Sequence, residues 1–138
     1  MTARQTALMP GNEDKVGYWI TPPELMASLE AEFHFNFDPC PFPRPAGFDG
    51  LKEDWGARNW VNPPFVGTSA AAWTKKAIEE RDKGKLVVMI FPVDRWLTRM
   101  VTASAEIRVP PPFHWLNPRG KPQPAPRPHL LFILRPKL

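Results

Sequence analysis

Apolar and polar positions along this chain fall into distinct periods. Leu25, Met26, Leu29 and Phe33 recur three and four apart, which predicts a helix ending near Phe33 that packs one face on a sheet. Its start is marked by Thr21-Pro22-Pro23-Glu24, read as Thr21 at the N-cap, Pro22 in the first turn and Glu24 closing a capping box. Phe35-Asn36-Phe37 alternates as a short strand and stops at Asp38-Pro39. Arg58 to Val61 is a second strand, stopped by Asn62-Pro63-Pro64. A helix is predicted from about Ser69 to Lys83, with Trp73, Ala77 and Ile78 on one side, Lys75, Lys76, Glu79, Glu80 and Arg81 largely on the other, and Gly84 as its stop. Lys85 to Phe91 is apolar after its first residue and ends at Pro92, as expected of a strand buried on both faces of a parallel sheet. Asp94 to Thr102 reads as a third helix. Glu106 to Val109, Phe113 to Leu116 and His129 to Arg135 are strands with no helix between them, which predicts an antiparallel end to an α/β fold.

Composition sharpens this outline. The chain has 138 residues and 19 prolines, so one domain is expected and many of its segments must be short or irregular. Residues 1–17 read as a flexible N-terminal arm, 18–138 as a single minimal domain, and 117–128 as a basic proline-rich loop. Cys40 is the one cysteine and cannot form an intramolecular disulfide. With no apolar run of membrane-spanning length and no leader pattern, the expectation is a soluble cytoplasmic protein. The formal charge of +4 is uneven: residues 1–106 carry 12 basic and 14 acidic groups, and residues 107–138 carry six basic and none acidic. Cations gathered in one segment suit a phosphate-bearing partner, with plain solubility as the alternative. His34, His114 and His129 lack metal-ligand spacing, and no metal site is expected.

The tetrapeptide Asn62-Pro63-Pro64-Phe65, directly after a strand, carries the sharpest chemistry. An exocyclic amine conjugated to an aromatic ring is a poor nucleophile because its lone pair is delocalised. If the Asn oxygen and a prolyl carbonyl each accept one amine hydrogen, the nitrogen is held closer to tetrahedral and its lone pair can be aimed at a methyl donor. Two prolines stiffen the backbone that presents the carbonyl, and Phe65 offers a face for an extruded base. The bland alternative is a proline-stabilised turn followed by a core phenylalanine.

Tyr18-Trp19-Ile20-Thr21-Pro22-Pro23-Glu24-Leu25, Asp38-Pro39-Cys40, Asp49-Gly50-Leu51, Asp54-Trp55 and Asn62-Pro63-Pro64-Phe65 follow in order the pattern of phage and prophage DNA adenine-N6 methyltransferases, a Dam-like family that the chain resembles over residues 18–78 and more loosely beyond. The resemblance implies a site-specific, S-adenosylmethionine-dependent enzyme acting on double-stranded DNA, with the cofactor at the carboxyl ends of the first strands of a Rossmann-like sheet. It implies that Trp19, Thr21 and Pro22 contact cofactor, that Asp38, Pro39 and Cys40 form the post-strand cofactor motif, and that Asn62, Pro63, Pro64 and Phe65 are catalytic. Two departures stand out. A proline-rich turn replaces the usual glycine-rich one, and 23 residues separate Asp38 from Asn62, too few for two strand-helix units. The sheet is therefore expected to be reduced, leaving Glu53 or Asp54 as the ribose acceptor and an edge that a second copy of the chain could complete.

For DNA, the cations at Arg119, Lys121 and Arg127 on the proline-rich loop are the first candidates, and Arg95 and Arg99 beyond the buried strand the second. Trp55 and Trp60 flank the catalytic strand and either border the base pocket or pack in the core. Two other functions remain open from sequence: methylation of another planar amine such as a protein glutamine, and an inactive nucleic-acid-binding module.

Overall fold

The computed structural model describes residues 19–64, 69–123 and 128–137. The expected arm at 1–17, and with it Tyr18, Phe65 and Arg127, lie outside the described residues.

The described chain runs α1 (Pro23–Phe33), β1 (Arg58–Val61), α2 (Ser69–Asp82), β2 (Leu86–Pro92), α3 (Leu97–Thr102), β3 (Glu106–Arg108), β4 (Trp115–Leu116), β5 (Pro122–Gln123) and β6 (His129–Leu134). Four strands form a mixed sheet in the order β1-β2-β6-β3. β1 and β2 are parallel, with Trp60 opposite Val88, and β6 runs antiparallel to both β2 and β3. β4 and β5 make a separate antiparallel hairpin.

Alternation along the strands sends successive side chains to opposite faces, and each face builds its own core. Trp60, Val88, Ile90, Leu131 and Ile133 meet Leu25, Leu29 and Phe33 of α1, the stripe that the helical spacing predicts. Val61, Val87, Met89, Phe132 and Leu134 meet Trp73 and Ala77 of α2 and Met100 of α3. Each fully buried large aliphatic contributes about 1.5–3 kcal/mol, so these two layers carry the fold. Trp55 and Trp60 are both core residues, buried to 4% and 0% exposure.

The structure differs from the sequence reading in several places: β4 is only Trp115–Leu116 of the expected Phe113–Leu116, and β2 pairs parallel with β1 but antiparallel with β6. Thr21 does not cap α1: the N-cap is Pro22, with extended backbone and no side-chain cap bond, because the Thr21 hydroxyl is engaged by Asn62. Phe35 to Phe37 is not a full strand but a single parallel bridge, Phe37 to Asn59, after which Pro39 removes a ladder donor. α3 begins at Leu97, since Asp94 to Trp96 form a turn in which the Asp94 carbonyl accepts from the Leu97 N–H at 3.0 Å. The stretch read as one proline-rich loop contains β5 and the hairpin turn. There the Asn117 side-chain oxygen accepts from the N–H groups of Arg119 and Lys121 at 2.9 and 3.0 Å. Finally, Glu80 and Arg81 are buried rather than solvated. Arg81 donates to the Ala103 carbonyl at the end of α3, and Glu80 gathers donors from three elements.

Among the described residues no helix is long and apolar enough to cross a membrane, and no cluster of three or more potential metal ligands occurs.

Candidate active site

The 35–37 segment and β1 run side by side in the same direction, so the chain leaves both at one edge of the sheet, at Asp38 and at Asn62. A cleft opens there. Its walls come from three places: Trp19 and Ile20 ahead of α1, the loop from Pro39 to Gly50, and Asn62 to Pro64, with Trp73 of α2 completing it.

Local chemistry shapes each wall. Asp38 is buried and its carboxylate accepts from the Cys40 N–H at 2.9 Å, turning the chain at the strand end. Further along, Trp55 donates from its indole to the Gly50 carbonyl at 2.7 Å and from its backbone to Glu80 at 3.1 Å, which fastens the loop to α2. Lys85 bridges the Trp55 carbonyl and the Glu80 carboxylate at 2.7 and 2.6 Å. Burial opposes the Glu80 charge, but hydrogen bonds from Lys83, Lys85, Trp55 and Lys76 outweigh it and lower its pKa to about 2.

Two asparagines, Asn59 within β1 and Asn62 directly after it, are in opposite states. Asn59 is fully buried and satisfied: its oxygen accepts from the Gly56 N–H at 2.9 Å and its amide donates to the carbonyls of Gly56 and Leu86 at 2.8 and 3.0 Å. At Asn62 only the nitrogen is held. It donates to the Trp19 carbonyl at 2.7 Å and to Thr21 Oγ1 at 3.3 Å. A carbonyl can only accept, which fixes the amide's orientation and leaves Oδ1 without a hydrogen-bond donor among the described residues. The Pro63 carbonyl likewise accepts from none of them. Asn62 and Pro63, the residues that carry these two acceptors, both line the cleft.

The sequence model of one family, DNA N-6-adenine-methyltransferase (Dam), matches residues 11–111. The chain belongs to the Dam family. No curated protein and no solved structure matches it. The Dam match spans every residue of the cleft and stops before β4, so the hairpin with Arg119 and Lys121 lies beyond it.

Of the cofactor candidates, Trp19, Pro39 and Cys40 line the cleft and Asp38 shapes it from behind. Pro22 instead borders a separate groove with Phe113 and His114. Thr21 is buried behind Asn62, and Asp54 is exposed, 3.9 Å from Lys83 and apart from the cleft. Phe42, Arg44, Asp49, Gly50 and Trp73 line the cleft without having been singled out as ligand residues. Trp73 shows the reason: its helical spacing marks a core residue, and it is one, its ring tilted against that of Trp55 at 6.2 Å, yet it also lines the cleft.

Among the Dam-family chain's candidate DNA contacts, Arg119 and Lys121 are exposed at the hairpin turn. Arg95 is exposed, its guanidinium 5.2 Å from the Trp96 ring. Arg99, over the same ring at 4.8 Å, donates to the Ala71 carbonyl and Thr74 hydroxyl of α2 at 3.0 and 3.1 Å, so it ties α3 to α2.

Proposed function

We propose that this chain transfers a methyl group from S-adenosylmethionine to N6 of an adenine extruded from double-stranded DNA, on a reduced Rossmann-like sheet and with short or relaxed site preference. The observation that supports this reading is the state of Asn62, whose amide nitrogen is anchored while its oxygen has no donor among the described residues.

The residues of the cleft suit the cofactor. A mainly apolar and aromatic lining of Trp19, Phe42 and Trp73 would suit a flat purine, and Arg44 and Asp49 would offer one cation and one anion to a zwitterionic amino-acid end. When bound, S-adenosylmethionine supplies an electrophilic methyl group. The chain's own part is positional. Asn62 Oδ1 and the Pro63 carbonyl take the two amine hydrogens, which draws the nitrogen out of conjugation and directs its lone pair into the cleft. Pro63 and Pro64 hold that carbonyl in place, and Phe65 supplies the face for the base. No strong base is needed for the attack.

The test incubates the purified chain with methyl-labelled cofactor and adenine-containing duplex DNA. Label is expected in DNA, and Asn62→Ala is expected to lower turnover by about 10²-fold or more, as for loss of a preorganised transition-state contact, with calorimetric cofactor binding retained. Label in protein instead would replace DNA by a protein amide as substrate. Absence of both label and cofactor binding, with DNA binding retained, would reduce the chain to a nucleic-acid-binding module.

A further inference from the structure

We infer that Thr21 is a positioning residue for Asn62: its hydroxyl and the Trp19 carbonyl together hold both amide hydrogens, so that only the oxygen can face the substrate amine. The inference rests on the reading of Asn62 as an amine acceptor.

An asparagine amide turns about a broad, two-fold torsion, and half a turn would present a donor to a donor and abolish the contact. The Trp19 carbonyl accepts one amide hydrogen at 2.7 Å and Thr21 Oγ1 the other at 3.3 Å. Thr21 is 5% exposed and takes no part in lining the cleft, whereas its neighbours Trp19 and Ile20 do. A threonine ahead of a helix ordinarily caps it, yet α1 has no side-chain cap bond. The holder is itself fixed. The Ile20 N–H donates to the Leu116 carbonyl at 2.8 Å and the Leu116 N–H to the Ile20 carbonyl at 2.9 Å, while Pro22 and Pro23 stiffen the other side. An amide that donates both hydrogens is also a better acceptor at its oxygen, which is the atom the reaction uses.

Thr21→Val keeps the shape and removes the acceptor, Thr21→Ser keeps the acceptor, and Thr21→Ala is a second acceptor-free variant should valine disturb folding. The expected result is a fall in kcat of about tenfold in the acceptor-free variants, the worth of one net hydrogen bond. KM for DNA and the calorimetric cofactor Kd are expected unchanged, with kcat restored in Thr21→Ser. The Asn62 side-chain amide signals, assigned by their loss in Asn62→Ala, are expected to exchange with solvent faster in Thr21→Val and at the original rate in Thr21→Ser. Unchanged kcat together with unchanged amide exchange would overturn the inference. So would a loss confined to cofactor affinity, which would make Thr21 a ligand contact. Should the unaltered chain transfer no methyl group, the functional reading fails separately and amide exchange alone decides the role of Thr21.

Discussion

Gly50 lies against the backbone of Pro39, and a methyl group on its α-carbon would collide with the Pro39 carbonyl oxygen. Both residues line the cleft. Gly50→Ala must push the Pro39 and Gly50 ends of the loop apart. It is expected to cost about 1–3 kcal/mol in chemical denaturation, the range for forced overpacking, and to weaken S-adenosylmethionine binding in calorimetry. Single residues were legible in the sequence where a motif names the chemistry, as at Asn62 and Pro63, and much less so where only the loop path brings them in. Arg44 and Asp49 sit in an aperiodic stretch with three prolines nearby, and nothing in its pattern shows which side chains turn toward Asn62. Asp54 misleads for the opposite reason: it follows the ordered pattern, but the chain buries Trp55 and turns its neighbour outward to 94% side-chain exposure.

At the level of elements, the Glu80 carboxylate joins α2, the start of β2 and the loop behind the cleft. Its pKa in the folded chain is lowered from 4.5 to about 2, so the unfolded chain binds a proton more readily. The stabilisation is fully present above pH 4.5 and is lost as pH falls from there toward about 2. Thermal melts across that window are expected to show a steep decline that Glu80→Gln removes. At neutral pH the same substitution is expected to lower Tm by about 10 °C, for roughly 3 kcal/mol on breaking a buried ion pair. Elements themselves were largely readable, because α1 and α2 each bury a face whose period appears in the chain, β2 is an unbroken apolar run, and β1 is stopped by Asn62-Pro63-Pro64. Glu80 and Arg81 were not, since periodicity places charged residues on the solvent side and cannot register long side chains that fold back onto carbonyls and ammonium groups.

For the whole molecule, the cationic surplus of residues 107–138 is smaller in the fold than in the linear count. Arg108 makes a two-pronged pair with Glu32 and also meets Glu106, Arg135 meets Glu106, and Lys137 meets Asp82. Hydrogen bonding from Arg108 lowers the Glu32 pKa, and hydrogen bonding from Arg135 and then Arg108 lowers that of Glu106. These partners lie far away along the chain, which is why a charge count by segment could not show them. The hairpin turn carries two further cations of this segment, Arg119 and Lys121, both exposed. Replacing both by Gln is expected to reduce the slope of log affinity for duplex DNA against log salt by about 2, measured by fluorescence anisotropy, whereas Arg135→Gln is expected to leave it unchanged. The sheet order has a consequence of its own. β6 lies between β2 and β3 yet follows both in the chain, so as the polypeptide emerges from the ribosome the two earlier strands wait with bare edges for a neighbour not yet made. The order of birth is not the order of pairing, and the central seam closes only when the last strand arrives.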